Sequence, residues 1–386
     1  MSKLVFILTL GVFSIINTEM GVIGILPLIA DTYNVTISTA GMLVSLFALA
    51  VAIAGPTMPL LCSAINRKTI MVVVLGIFTI CNIISAFSSN FTIVLIARVL
   101  PAFFHPVYVA MAFSVAATSV PALKAPEAAS KVMMGVSAGM VLGVPIISAI
   151  ATATSLEMAM LAFAVVNAIA LVASIIFIPT IPVTERLSYG SQLNILKSPV
   201  VWLSIIGVML LNGGIFGVYS YIAEYLTHVT MMPAHIISIL LFVYGLANIL
   251  GNAIAGKMLT SSPIKLVTSF PVALCVIYIV LQFSGHLTIM ASALILLWGI
   301  LAGIGANINQ YWIVSAAPKA PDFANGLFLA ATNLGTTIGA TLCGYCISQV
   351  GTSSIPYGGI LLLLLSEGLI IWRVNKTSSA VVEDIS

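Results

Sequence analysis

Charge is what this sequence has least of. Only 6% of its 386 residues are Asp, Glu, Lys or Arg, about a quarter of the share in a soluble globular protein. Thirteen Lys and Arg against ten Asp and Glu leave a net charge of +3. No basic patch exists, so nucleic acid is excluded as a partner. Cysteine is also scarce. Cys62, Cys81, Cys275, Cys343 and Cys346 all fall in or beside apolar segments, which excludes a disulfide framework of the secreted type. No Walker loop is present, so an ATP-driven pump would need a separate ATPase subunit. The four histidines form no ligand cluster, and neither metal nor cofactor is expected.

What is abundant is apolar sequence: 61% hydrophobic residues and a mean hydropathy of +1.22. A soluble enzyme and a disordered chain are both excluded. The runs are long and continuous, unlike the ~10-residue alternating strands of a membrane β-barrel. Lys3 and the run after it resemble a signal peptide, but no small-x-small cleavage site follows and the run continues to Ala30. It reads as a first membrane helix.

A span needs ~20 mainly apolar residues. Breaks at polar, Pro and charged clusters give twelve, near 4–30, 38–61, 69–89, 91–118, 131–154, 157–179, 200–224, 234–256, 266–284, 288–316, 325–350 and 355–373. With the N-terminus in the cytoplasm, the inner loops collect Lys3, Arg67, Lys68, Lys124, Lys131, Arg186, Lys197, Lys257, Lys265, Lys319, Arg373 and Lys376. The outer loops collect no Lys or Arg, and Arg98 lies within a span. This asymmetry predicts an even number of spans and two cytoplasmic termini.

The expected architecture is therefore an all-α membrane protein of two pseudo-symmetric six-helix bundles, 1–180 and 200–386, joined by a cytoplasmic linker 181–199. Weak self-similarity near an offset of 195 supports the repeat. Leu46-Phe47 matches Leu241-Phe242, Gly55 matches Gly251, and Gly139 and Gly143 match Gly335 and Gly339. Two parallel six-helix repeats are the layout of transporters that rock around a midplane site.

Several stretches then resemble the major facilitator superfamily, in its drug:proton antiporter and sugar- or nucleoside-efflux branch. They are Asn17-Thr18-Glu19, Gly24 to Ala30 around Pro27, Ser38 to Val44 around Gly41, Ala97 to His105, Gly139 to Pro145, and Phe216 to Ala223. The stretch ending at Pro145 resembles the antiporter motif of the fifth helix. The resemblance spans nearly the whole chain. It implies a bacterial cytoplasmic membrane, a small-molecule substrate, protons as co-substrate, and a monomer in the lipid bilayer. One motif departs. Arg67 and Lys68 keep the basic pair of the loop between helices two and three. Ser63 stands where an Asp that helps hold the inner gate is expected, and Pro59 and Asn66 stand where glycines are expected.

An ionisable group inside a span is costly and by default marks function. Glu19 has only Ile15, Ile16, Val22 and Ile23 beside it on its own helix, so it must face another helix or a wet cavity. A carboxylate so placed can carry a proton or hold a cationic substrate. The alternative is a structural carboxyl bonded across helices. Arg98 and His105 share a face of the fourth span with Pro101 and Tyr108. In the family the matching Arg is linked to proton coupling; the alternative is an Arg snorkelling outward. Imidazole titrates near neutral pH, yet a lone His in a helix is as readily a satisfied contact. Pro101 and Pro106 should kink this helix. Glu367 lies six residues before Arg373 and reads as an interfacial carboxylate.

The second half carries neutral polar stripes. Tyr244, Asn248 and Asn252 repeat every four residues. Asn212, Phe216 and Tyr219 share a face, as do Asn307, Gln310 and Tyr311, and Asn333 with Thr337. Such stripes face protein or water rather than lipid. They suit a pocket for an uncharged or amphiphilic molecule, or amide bonds between helices. Asn17, Glu19, His105 and Tyr108 are the substrate contacts expected of the first half. Gly135, Gly139 and Gly143 mark a close helix approach, which the resemblance directs to the eighth helix. Gly135 to Gly139 also matches G-x-S-x-G, and Cys343 to Cys346 matches C-x-x-C. Both sit in apolar helices rather than in the folds those motifs need.

The reading that follows is export of a small organic molecule in exchange for protons. A proton-independent facilitator or importer of sugars or nucleosides is the alternative within transporters. A non-transporting membrane sensor is the alternative outside them.

Overall fold

The computed structural model describes residues 3–35, 37–180 and 193–383. Most of the expected linker, with Glu185 and Arg186, lies outside the described residues. Among the described residues, twelve helical segments are long and apolar enough to cross a membrane. Hydrocarbon offers a backbone no hydrogen-bond partner, so each span satisfies its own amides as a helix.

In order, the spans are built from helices Lys3–Gly21, Ile37–Leu61, Arg67–Phe87, Phe91–Ala102 with His105–Thr118, Ala125–Ala153, Leu156–Phe177, Pro199–Tyr219, Ala234–Ser261, Pro263–Ser284, Thr288–Val314, Pro321–Val350 and Ile355–Glu383. They start as local chemistry dictates. Pro199, Pro263 and Pro321 take first helical positions, where a missing N–H does no harm. Asn66 and Asn90 accept the first free amides of the third and fourth spans. Asn66 thus occupies an expected glycine position as a helix cap.

Two spans of the first half are broken. The first passes through a 3-10 turn, Val22–Ile25, into a short helix Leu26–Tyr33 with Pro27 in its first turn. The fourth is interrupted at Phe103 and Phe104, between Pro101 and Pro106, as the prolines predict. The fifth begins at Ala125 and the eleventh at Pro321, earlier than hydropathy alone placed them.

The chain forms two compact units, Met1–Tyr189 and Gly190–Ser386. In the N-terminal unit the first span packs on the fifth and the third on the sixth. Gly135, Gly139 and Gly143 face the first span. A Cβ on Gly139 would stand 2.8 Å from the Ile16 side chain, and one on Gly135 would stand 2.5 Å from the Thr9 carbonyl. At these positions the fifth span meets the first span of the same unit. Thr9 closes the seam by donating to the Lys131 carbonyl at 3.1 Å. Pro145 lies inside the fifth helix with its ring exposed.

In the C-terminal unit the seventh span packs on the eleventh and twelfth, and the eighth on the tenth. A Cβ on Gly335 or Gly339 would overlap the carbonyl of Met209 or Gly213 on the seventh span. Gly251, Gly299 and Gly303 form a second close seam, between the eighth and tenth. Two tyrosines tie helix ends. Tyr33 donates to the Ser88 carbonyl at 2.9 Å, and Tyr225 to the Leu281 carbonyl at 2.8 Å. Burial pushes Tyr225, which lies beyond the seventh span, up to about 12, so it stays a neutral donor.

Candidate functional site

The break in the first span creates the site. Helix Lys3–Gly21 ends inside the unit, and the carbonyls of its last turn have no amide of the same helix to accept from. Arg98 on the fourth span supplies the donors. One terminal nitrogen, Nη2, lies 2.8 Å from both the Thr18 and Glu19 carbonyls, and Nε donates to the Leu43 carbonyl at 3.1 Å. A cation at a helix C-terminus also answers the helix dipole. Arg98 is 6% exposed, so it is a buried tie between the first, second and fourth spans rather than a residue snorkelling outward.

With its main chain held by Arg98, Glu19 turns its carboxylate to the fourth span. Its Oε2 lies 3.3 Å from His105 Nε2. The two side chains are 17% and 4% exposed, so the pair is enclosed with one reachable edge on Glu19. His105 is the first residue after the helix break. Phe47 on the second span packs against both basic groups. Its ring is 5.2 Å from the Arg98 guanidinium carbon and edge-on to His105 at 6.0 Å. The sequence named Glu19, Arg98 and His105 separately, and the fold brings them together. It could not name Phe47, whose role arises only when the second span lies across the fourth.

Beside this cluster lies a neutral network that the sequence reading missed. Thr18 Oγ1 accepts from Asn167 Nδ2 at 2.7 Å and from Asn82 Nδ2 at 3.4 Å. Asn17 points elsewhere, being 3% exposed and set against Gly143. Tyr108 is fully buried with its hydroxyl against Gly11. Both are interior packing positions of the unit, because each fills the notch left by a glycine on the facing helix.

The basic pair behind the second span is split in role. Arg67 Nη1 donates to Ser114 Oγ on the fourth span at 3.2 Å, while the Lys68 amide is capped by Asn66.

In the C-terminal unit the stripes meet one another. Asn307 Nδ2 donates to Asn252 Oδ1 at 2.6 Å, and Asn252 bonds back to Asn248. Asn309 donates to Asn212 Oδ1 at 3.1 Å, and Asn212 donates to Thr336 Oγ1 and the Thr332 carbonyl. Gln310 donates to Asn325 at 2.8 Å. These amides join helices. Tyr219 stacks on Tyr244 at 4.8 Å, with Phe216 edge-on to Tyr219 and Trp298 edge-on to both tyrosines. Phe216, Tyr219, Asn248 and Tyr311 keep partly open surfaces, and Asn333 is exposed.

One expectation near the chain end changes. Arg373 is not a loop cation. It is 6% exposed, lies over the Trp312 ring at 3.7 Å, and donates to the Trp312 carbonyl and to Ser315 Oγ. It caps the end of the tenth span. Glu367 is partly exposed; its Oε2 is enclosed and has no hydrogen-bond partner among the described residues.

The chain's likeness to known proteins agrees with this architecture. The family description Major Facilitator Superfamily matches residues 8–321. The uncharacterized MFS-type transporter YtbD of Bacillus subtilis is 30% identical over 362 residues, 92% of this chain and 91% of that one. The inner membrane transport protein YdhP of Escherichia coli K12 is 28% identical over 375 residues, 97% and 96% of the two chains. A probable sugar efflux transporter of Helicobacter pylori is 26% identical over 365 residues, 93% and 92%. Among solved structures, the human organic anion transporter MFSD10 superposes with a TM-score of 0.77 at 17% identity, covering 95% of this chain and 99% of that one. The Escherichia coli fucose:proton symporter FucP gives 0.77 at 13% identity, covering 97% and 99%. With twelve apolar spans and these relatives, the chain belongs to the Major Facilitator Superfamily and is a multi-pass transporter of the bacterial inner membrane.

Proposed function

We propose that this transporter exports a small organic molecule of the drug, sugar or nucleoside class in exchange for protons, acting as a monomer. The observation that carries the reading is the Glu19–His105 pair, 3.3 Å apart within the membrane-spanning region. A carboxylate and an imidazole in contact change net charge by one when a proton arrives. In a low-dielectric interior that change is large enough to bias a conformational equilibrium. Arg98 keeps the main chain of Glu19 in place through both states. Substrate binds while Glu19 is unprotonated; a proton from the outside then neutralises the pair and substrate leaves.

The two units are taken as pseudo-symmetric repeats of six spans, 1–180 and 200–386, joined through 181–199. Matching glycine seams and the matching Tyr33 and Tyr225 ties support this. Cytoplasmic termini are supported by the eleven-to-none distribution of loop Lys and Arg that remains once Arg373 is set aside. The printed name of the Helicobacter relative favours a sugar among the candidate substrates. Phe216, Tyr219 and Tyr244 would then supply ring surfaces, and Asn248, Tyr311 and Asn333 the open polar groups.

The test is flux in proteoliposomes with an imposed pH gradient, a trapped pH-sensitive dye and a panel of antibiotics, dyes, sugars and nucleosides. Glu19→Gln should abolish substrate-driven proton movement, at least ten-fold, while substrate binding persists. Unchanged coupled flux in Glu19→Gln would overturn the assignment. Substrate flux without proton movement in the unaltered protein would make it a facilitator.

A further inference from the structure

At one end of the C-terminal unit the seventh and twelfth spans leave a groove. A cavity of about 400 Å³ there is lined by Lys197, Trp202, Leu203, Ile206, Trp372 and Lys376, among others. Lys197 stands two residues before the seventh span, and Lys376 closes the apolar stretch of the twelfth. These helices pack on each other, so both ammonium groups come to the same end. No Asp or Glu is among the lining side chains.

Trp202 and Trp372 are 50% and 59% exposed and lie about one helical turn further into the spans. Trp202 Nε1 donates to the Leu196 carbonyl at 2.7 Å, which fixes the short connector that carries Lys197. Arg373, beside Trp372, is turned inward onto Trp312, so the groove's cations are the two lysines.

Each feature has a membrane reading. Indoles half-exposed near a span end sit at the headgroup level. Lysines at that height reach the phosphate layer. An apolar wall deeper in the groove accepts an acyl chain. A soluble phosphate would use the lysines and leave the indoles, Leu203 and Ile206 without a partner.

We propose that this groove binds an anionic phospholipid, with its phosphate between Lys197 and Lys376 and an acyl chain along Trp202, Leu203, Ile206 and Trp372. The site depends on the membrane-spanning fold. It is independent of substrate, of proton coupling and of which end faces the cytoplasm.

The tryptophans provide the readout. The chain has four, and Trp298 and Trp312 are buried at 0% and 3% exposure. Lipid-borne bromine therefore reports mainly on Trp202 and Trp372. The full chain is placed in phosphatidylcholine nanodiscs containing either brominated phosphatidylglycerol or brominated phosphatidylcholine. The anionic lipid should quench at a lower mole fraction, with a preference of about five-fold for each lysine. In K197Q/K376Q the two curves should coincide. K197R/K376R and K257Q/K265Q, whose lysines do not line the groove, should keep the preference, which separates loss of charge from misfolding. Coincident curves in the unaltered protein overturn the proposal, as does a preference that survives K197Q/K376Q. Abolition of the preference by millimolar inorganic phosphate also overturns it in favour of a soluble ligand. Both leaflets of a disc are alike and no gradient is present, so failure here leaves the transport reading standing, and the reverse.

Discussion

The two units hold their polar interiors with different chemistry. In the N-terminal unit, Arg98 binds three backbone carbonyls while Glu19 meets His105. In the C-terminal unit the buried contacts run through neutral amides: Asn252 with Asn307, Asn212 with Asn309, and Gln310 with Asn325. Its buried arginine, Arg373, lies at a helix end against Trp312. A neutral amide cannot take up a charge, whereas a carboxylate or an imidazole can. The proposal accordingly puts the charge switch in the first unit and fixed hydrogen-bonding and aromatic surfaces in the second.

The largest expected difference is between the two arginines. Arg98→Met removes the donor to the Thr18 and Glu19 carbonyls at a helix end, and a second donor to the Leu43 carbonyl within a helix, and should cost about 1–3 kcal/mol. Arg373→Met acts at a helix end, where its contacts include the Trp312 carbonyl and Ser315 Oγ. The detergent melting temperature should therefore fall further in Arg98→Met, and Arg98→Lys should recover only part of the loss. Equal shifts would erase the contrast.

Glycine substitutions come next. Gly339→Ala should destabilise markedly, because its Cβ would overlap the Gly213 carbonyl, which is backbone and cannot move aside. Gly143→Ala meets the Asn17 side chain at 3.1 Å and should be milder. Gly76→Ala meets nothing within 4 Å and should stabilise by up to about 1 kcal/mol through helix propensity. Thermal unfolding of the three variants checks the order, and a milder Gly339→Ala would show that the matching seams differ in the opposite sense.

Asn307→Leu removes the bond from Nδ2 to Asn252 Oδ1 and should cost about 1 kcal/mol, with the pH dependence of flux unchanged. A shifted pH profile in that variant would move proton handling into the second unit. The smallest effect is expected at the helix-end ties. Tyr33→Phe and Tyr225→Phe should each cost about 0.5–1.5 kcal/mol, and by similar amounts. Clearly unequal losses in unfolding would argue against equivalent roles.

The spans were legible because a bilayer makes hydropathy and helix formation one requirement. The break in the fourth span was legible from Pro101 and Pro106. The break in the first was not, since its 3-10 turn Val22–Ile25 is apolar and has no proline of its own. The rarity of charge singled out Glu19, Arg98 and His105, because each is costly in hydrocarbon and stands out against it. Asn82, Asn167 and Thr18 left no such signal, as single amides and hydroxyls recur along many spans. The stripes Asn212, Asn307 and Gln310 were visible, but their periodicity could not separate a wet lining from bonds between helices.

By itself the sequence determined the class of molecule, the number of spans and the few ions its interior contains. These follow from composition and from the energetics of a backbone and a charge in lipid. Tertiary structure decided which ion meets which. It gave Arg98 to the carbonyls of a broken helix, set His105 against the carboxylate of Glu19, and laid Phe47 over both basic groups. It also turned Arg373 inward and closed the glycine face of the fifth span onto the first. The reason is that a partner on another helix is fixed by packing, and packing depends on the shapes of both surfaces, which no single segment of the chain contains.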